Sequence, residues 1–122
     1  LDRRLSLVGG ATSEGGNVYA WCRRVLSLGD DVETALAGLA PDAHGLTVLP
    51  FLAGERSPGW RGDRRAAIAG LSLDTTPLQI LRAALESVAL RLALVTSTPA
   101  LTVGALFVGT AIAASAVAIV TS

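Results

Sequence analysis

Residues 66–95, AAIAGLSLDTTPLQILRAALESVALRLALV, carry a short strand, a turn and a long amphipathic helix in one stretch. Thr76, Pro77 and Gln79 are the helix start signal: a hydroxyl N-cap, a proline whose missing N–H is harmless at the first helical position, and a capping-box glutamine three residues after the cap. A helix is therefore predicted from Pro77. Leu78, Leu81, Leu85, Val88, Leu92 and Val95 then recur at spacings of three and four, while Gln79, Arg82, Glu86 and Arg91 fall largely off that stripe. One face belongs to a core.

Upstream of this unit, residues 5–8 are short and apolar and run into Gly9-Gly10, as the end of a strand would. The paired Gly15-Gly16 favours a helix beginning at Asn17 with Val18, Trp21, Cys22, Val25 and Leu26 on one face, stopped by Gly29. Residues 30–39 open with two aspartates, favourable at a helix N-terminus, and predict a short helix with Val32, Leu36 and Leu39 inward. His44, the single histidine, lies in a loop between Pro41 and Gly45; with no catalytic partner nearby in sequence it reads as a solvated loop residue. Residues 46–52 form an apolar run of strand length, which Pro50 ends or confines to an edge.

The chain has 122 residues, enough for one core. Ten arginines balance ten acids, so nothing here attracts nucleic acid non-specifically. Cys22 is the single cysteine, which excludes an internal disulfide; a small apolar side chain packed on a helix is the expected role. The composition fits a reducing cytoplasm, and the lack of methionine together with a leading leucine suggests a piece of a longer protein.

The order Ala66, Ile68, Gly70-Leu71, a seven-residue gap, Gln79-Ile80, then Ala83-Ala84-Leu85-Glu86 resembles the C-terminal signature of the FGGY carbohydrate kinases. The segment AGERSPGWRGDRRA, residues 53–66, is similar to the same family at Gly54, Glu55, Arg56, Pro58 and Asp63. The resemblance implies an α/β fold of the actin-like ATPase (ribonuclease H-like) type, only part of which is present. It implies ATP and Mg²⁺ as cofactors, a sugar or sugar acid as substrate, and a missing N-terminal kinase domain as partner; self-association into a homo-oligomer is compatible with it. The GERSPGW loop is most similar to gluconate and xylulose kinases, which makes gluconate the first expected substrate and xylulose the second. A non-catalytic binding or scaffold remnant is the alternative.

What the resemblance implies for particular residues is narrower. Gly16 corresponds to a glycine at a helix mouth against the nucleotide phosphates, and Trp21 to a tryptophan about a turn later. Ala20 replaces a glutamine that reaches the nucleotide in some members. Glu55 and Arg56 read either as loop ligands, Arg56 donating to carboxylate or phosphate, or as a structural ion pair with each other. The general base is an aspartate preceding the region present here, so no catalytic residue is assigned.

Residues 96–122 contain no charge. Their length allows a bilayer span, but the Ala, Gly, Thr and Ser content and the absence of an aromatic belt make a membrane anchor the weaker reading. By family position, residues 102–108 form a strand, Gly109 and Thr110 the glycine pair that packs against adenine, and Ile112 onward the start of a helix.

Overall fold

A computed structural model describes residues 5–12, 14–96, 103–107 and 115–121. The element order is β1 (Leu5–Ala11), α1 (Gly15–Val25), α2 (Val32–Ala37), β2 (Thr47–Leu49), β3 (Ala67–Ala69), α3 (Pro77–Thr96), β4 (Val103–Phe107) and β5 (Ser115–Thr121). The fragment is α/β, with a two-stranded sheet β2-β3 and a three-stranded sheet in the order β1-β5-β4, both antiparallel.

Helix α3 is the element the others pack on: it touches α1, α2, β2 and β5. Its start is set locally. The Gln79 N–H donates to Thr76 Oγ1 at 3.2 Å, and the Thr76 N–H donates to Gln79 Oε1 at 2.9 Å, so two backbone donors that lack helical partners are satisfied reciprocally. Leu81, Ala83, Ala84, Ser87 and Val88 are its buried residues. The predicted stripe is thus centred on Leu81, Ala84 and Val88, with Leu85 and Leu92 only partly covered. The small Ala84 lets α1 approach closely, and α1 answers with Val18 and Cys22, both buried in the same cluster.

Helix α1 begins two residues earlier than the glycine pair suggested, at Gly15 rather than Asn17. Its inward residues are Val18 and Cys22, but Val25 is 48% exposed, while Leu26, one residue on, packs against the core. Cys22 fills the expected role: it is fully buried, and burial pushes its thiol pKa up, which keeps it protonated and inert. Helix α2 is shorter than its acidic opening predicted, and only Val32 is buried. Tyr19 of α1 ties it in by donating to Glu33 at 3.0 Å.

Strand β2 stops before Pro50, which cannot donate to a ladder, and pairs with β3 through Thr47↔Ala69, Val48↔Ile68 and Leu49↔Ala67. Gly70 ends the hairpin at φ +90°, with no room for a Cβ: that atom would lie 2.6 Å from the Gly45 carbonyl oxygen. Strand β4 matches the strand expected there. Over residues 115–121, however, the expected helix is a strand instead. Val117, Ile119, Val120 and Thr121 are β-branched, no charged residue or cap supports a helix, and β1 and β4 offer a ladder on both sides. Among the described residues, no helix is long and apolar enough to cross a membrane.

Candidate functional site

Three arrangements hold the polar and chemically capable side chains. The first is the mouth of α1. Gly16 lies exposed in the first turn of that helix, where backbone N–H groups have no partner four residues back. Beside it, Asn17, Ala20, Trp21, Arg24, Leu52 and Ala53 line a shallow hollow of about 450 Å³. Behind it stands Glu14, only 2% exposed. Its own N–H donates to Thr12 Oγ1 at 3.1 Å, the Thr12 hydroxyl donates to Glu14 Oε2, and Oε1 is buried without a partner. Burial raises the Glu14 pKa; hydrogen bonding to its backbone and the charge of Arg91 oppose that rise without cancelling it.

The second is the loop of residues 51–62. Gly54, at φ +82°, lets the chain fold back until a Cβ there would lie 2.7 Å from the Gly62 carbonyl oxygen. The Glu55 N–H donates to the Arg61 carbonyl at 2.9 Å and the Trp60 N–H to the Arg56 carbonyl at 2.6 Å, which closes the loop on itself. Glu55 and Arg56 are not paired with each other. Glu55 takes Arg91 Nη2 at 2.5 Å, with side-chain exposures of 9% and 17%, whereas Arg56 is exposed. The expected neighbour pair fails because adjacent residues of this loop point to opposite sides, and the inward one meets a helix 36 residues on.

The third is a polar hub on α3. Glu86 accepts from Arg82 Nε at 2.5 Å, from the Asp42 N–H at 3.1 Å and from His44 Nε2 at 3.0 Å. His44 is therefore not a solvated loop residue: its side chain is 5% exposed, and its partner lies 42 residues away. Burial would raise the Glu86 pKa, but the bonds from His44, Arg82 and the Asp42 backbone outweigh it and hold the carboxyl below its usual range. Asp42, His44 and Glu86 have the composition of a metal site. The hydrogen bonds argue against one. Leu46 donates its N–H to His44 Nδ1 at 2.9 Å, so Nδ1 carries no proton and Nε2 does. A metal on Nε2 would force a proton onto Nδ1, against the Leu46 N–H. The Arg82 guanidinium adds a positive charge beside the same carboxylate.

Mg²⁺ thus finds no carboxylate set shaped for it among the described residues. Gly16 leaves the mouth of α1 open to backbone approach. Gly109 and Thr110, expected against adenine, lie outside the described residues. Sequence reasoning missed Arg91 altogether, because an arginine off the apolar stripe of a helix looks like surface. An almost wholly apolar hollow of about 270 Å³, lined in part by Trp21, Cys22, Leu49 and Ile68, runs between α1, α3 and the β2-β3 hairpin.

The chain matches the FGGY family of carbohydrate kinases, C-terminal domain, over residues 1–116, and it belongs to that family. Glycerol kinase from Acidovorax sp. (strain JS42) is 41% identical over 83 residues, which is 66% of this chain and 16% of the relative. Glycerol kinase from Leptothrix cholodnii is 43% identical over 82 residues, again 66% of this chain and 16% of the relative. The fold is similar to that of ligand-bound xylulose kinase from Lactobacillus acidophilus, with a TM-score of 0.63 and 27% identity over 72% of this chain and 19% of that one. Gluconate kinase from the same organism gives 0.59 and 28%, covering 67% and 18%. The chain therefore spans about a sixth of the length of the curated relatives it matches.

Proposed function

We propose that residues 1–122 form the C-terminal, nucleotide-side part of an ATP-dependent carbohydrate kinase of actin-like architecture. The complete enzyme transfers the γ-phosphoryl group of ATP, with Mg²⁺, to a hydroxyl of a sugar, polyol or sugar acid in the cytoplasm. The observation that carries this reading is Gly16, exposed in the first turn of α1. There the phosphates can meet first-turn N–H groups and the positive end of the helix dipole with no side chain between.

Gluconate and xylulose are the first acceptors to try, supported by the GERSPGW loop and by the likeness to xylulose and gluconate kinases. Glycerol joins them because the glycerol kinases are 41–43% identical. The base that takes the acceptor proton is placed outside residues 1–122 by the family resemblance; among the described residues, Glu55 is engaged by Arg91 and Glu86 by three donors. Residues 1–122 alone are accordingly inactive. A binding remnant without catalysis is the second reading, and that missing base is what favours it.

The experiment uses the full-length kinase that carries this chain. Gly16→Val should weaken ATP binding markedly while the melting temperature stays nearly unchanged. A large stability loss with affinity per folded molecule intact would make Gly15-Gly16 a plain turn. ATP binding by the full-length protein without transfer to gluconate, xylulose or glycerol would support the binding remnant instead.

A further inference from the structure

We propose that Arg91 is a positioning residue for this kinase, gripping the loop of residues 51–62 from beneath so that Arg56 is presented to an anionic group at the mouth of α1. The inference rests on the kinase reading above. Arg91 reaches three loop residues with one side chain. Its Nη2 donates to Glu55 Oε1 at 2.5 Å and to the Ser57 carbonyl at 3.1 Å, and its guanidinium carbon lies 4.9 Å from the centroid of the Phe51 ring.

Arg56 sits between the two residues held by hydrogen bonds, yet is itself exposed. The backbone on both sides of it is fixed while its guanidinium faces solvent. Gly59 strengthens the grip: a Cβ there would lie 2.5 Å from Glu55 Oε2, so the loop is closed tightly around the carboxylate that Arg91 holds. The gripped loop is close to the mouth of α1, because its Leu52 and Ala53 line one hollow with Asn17, Ala20, Trp21 and Arg24 of that helix.

The chemistry explains why an ion pair is used. A largely buried pair recovers little net stability over well-packed apolar side chains, since desolvation offsets the attraction. What a guanidinium adds is direction: Nη2, held in the guanidinium plane, donates to a carboxylate and a carbonyl at once, and the group offers a flat face to an aromatic ring. Lysine keeps the charge but loses the flat group that lies over the Phe51 ring.

The test uses Arg91→Met, Arg91→Lys, Arg56→Met and the double variant Arg56→Met/Arg91→Met in the full-length kinase, with melting temperature, kcat, KM for ATP and amide exchange measured for each. Arg91→Met and Arg56→Met should each lower kcat per folded molecule at least about tenfold, as loss of one well-placed group does. The double variant should be no worse than either single one, because Arg91 acts through Arg56. Arg91→Lys covers the case in which Arg91→Met does not fold, and should show the same kcat loss with the fold kept. A kcat within about twofold of wild type in the folded Arg91 variants, or single losses that multiply in the double variant, would overturn the proposal. Should the wild-type protein transfer no phosphoryl group to gluconate, xylulose or glycerol, the kinase reading falls, and exchange decides the grip. Arg91→Lys should then raise exchange at the Glu55 and Trp60 amides about tenfold or more and leave the Ile80 amide of α3 unchanged; unchanged loop exchange overturns the grip as well.

Discussion

The Gly70 Cα faces the Gly45 carbonyl so closely that a methyl group on it would stand 2.6 Å from the oxygen, at a backbone φ of +90°. The signature glycine is therefore a structural closure between the hairpin and the loop before it. Gly70→Ala should destabilise the fold by about 2 to 3 kcal/mol, combining a left-handed backbone penalty with a backbone clash. Gly45→Ala is the control. It shares a positive φ of +66° but meets nothing within 4 Å, so the loss should be about 1 kcal/mol. Equal denaturation midpoints for the two variants would show that the contact does not matter.

Thr76→Ala removes one half of the capping box and should lower stability by about 1 kcal/mol. Chemical denaturation with an unchanged midpoint and slope would show that the cap is not formed in solution.

Glu86 makes the fold sensitive to acid. Its folded pKa is lowered from 4.5, so its stabilisation is fully present above that value and is lost as pH falls through the folded value. Glu86→Gln should therefore lower the melting temperature at pH 7, by an amount equivalent to roughly 1 to 3 kcal/mol for charge-assisted bonds. The gap to wild type should narrow below pH 4. A gap independent of pH would mean that the carboxylate charge contributes nothing.

Glu14 works in the opposite direction. Its pKa is raised from 4.5 by burial, so the folded state holds its proton more tightly than the unfolded chain does, and stability falls as pH rises from the unfolded value through the folded one. Glu14→Gln stays neutral throughout. It should melt higher than wild type at pH 7 and at the same temperature near pH 4; a variant that melts lower at pH 7 would show that Arg91 stabilises the charged form.

The contrast between Thr76 and Arg91 shows what could be read from the sequence. Thr76 and Gln79 are three residues apart, and their bond follows from local geometry alone, so α3 was predicted to start where it does. The two strand runs and the inward face of α1 at Val18 and Cys22 are likewise carried by local signals, whereas the pairing of β2 with β3 is not. Arg91 and Glu55 are 36 residues apart, and His44 and Glu86 are 42 apart. Nothing in local periodicity joins such pairs, so the sequence alone matches Glu55 with its neighbour Arg56 and leaves His44 in solvent. The strand at residues 115–121 is hidden for a related reason: family position points to a helix, and the ladder that β1 and β4 provide to its β-branched residues is formed with distant parts of the chain.

That ladder also governs the order of assembly. Leu5 pairs with Thr121 and Ala11 with Ser115, so β1 is synthesised more than a hundred residues before its partner exists. At a synthesis rate of about 5–20 residues per second it waits unpaired for some seconds. The cluster of α1, α2, β2, β3 and α3, which gathers Leu81, Val18 and Cys22, has all its chain by residue 96. The helical centre is thus free to form during translation, and the sheet that joins the two ends of the described chain closes last, as contacts between distant residues generally do.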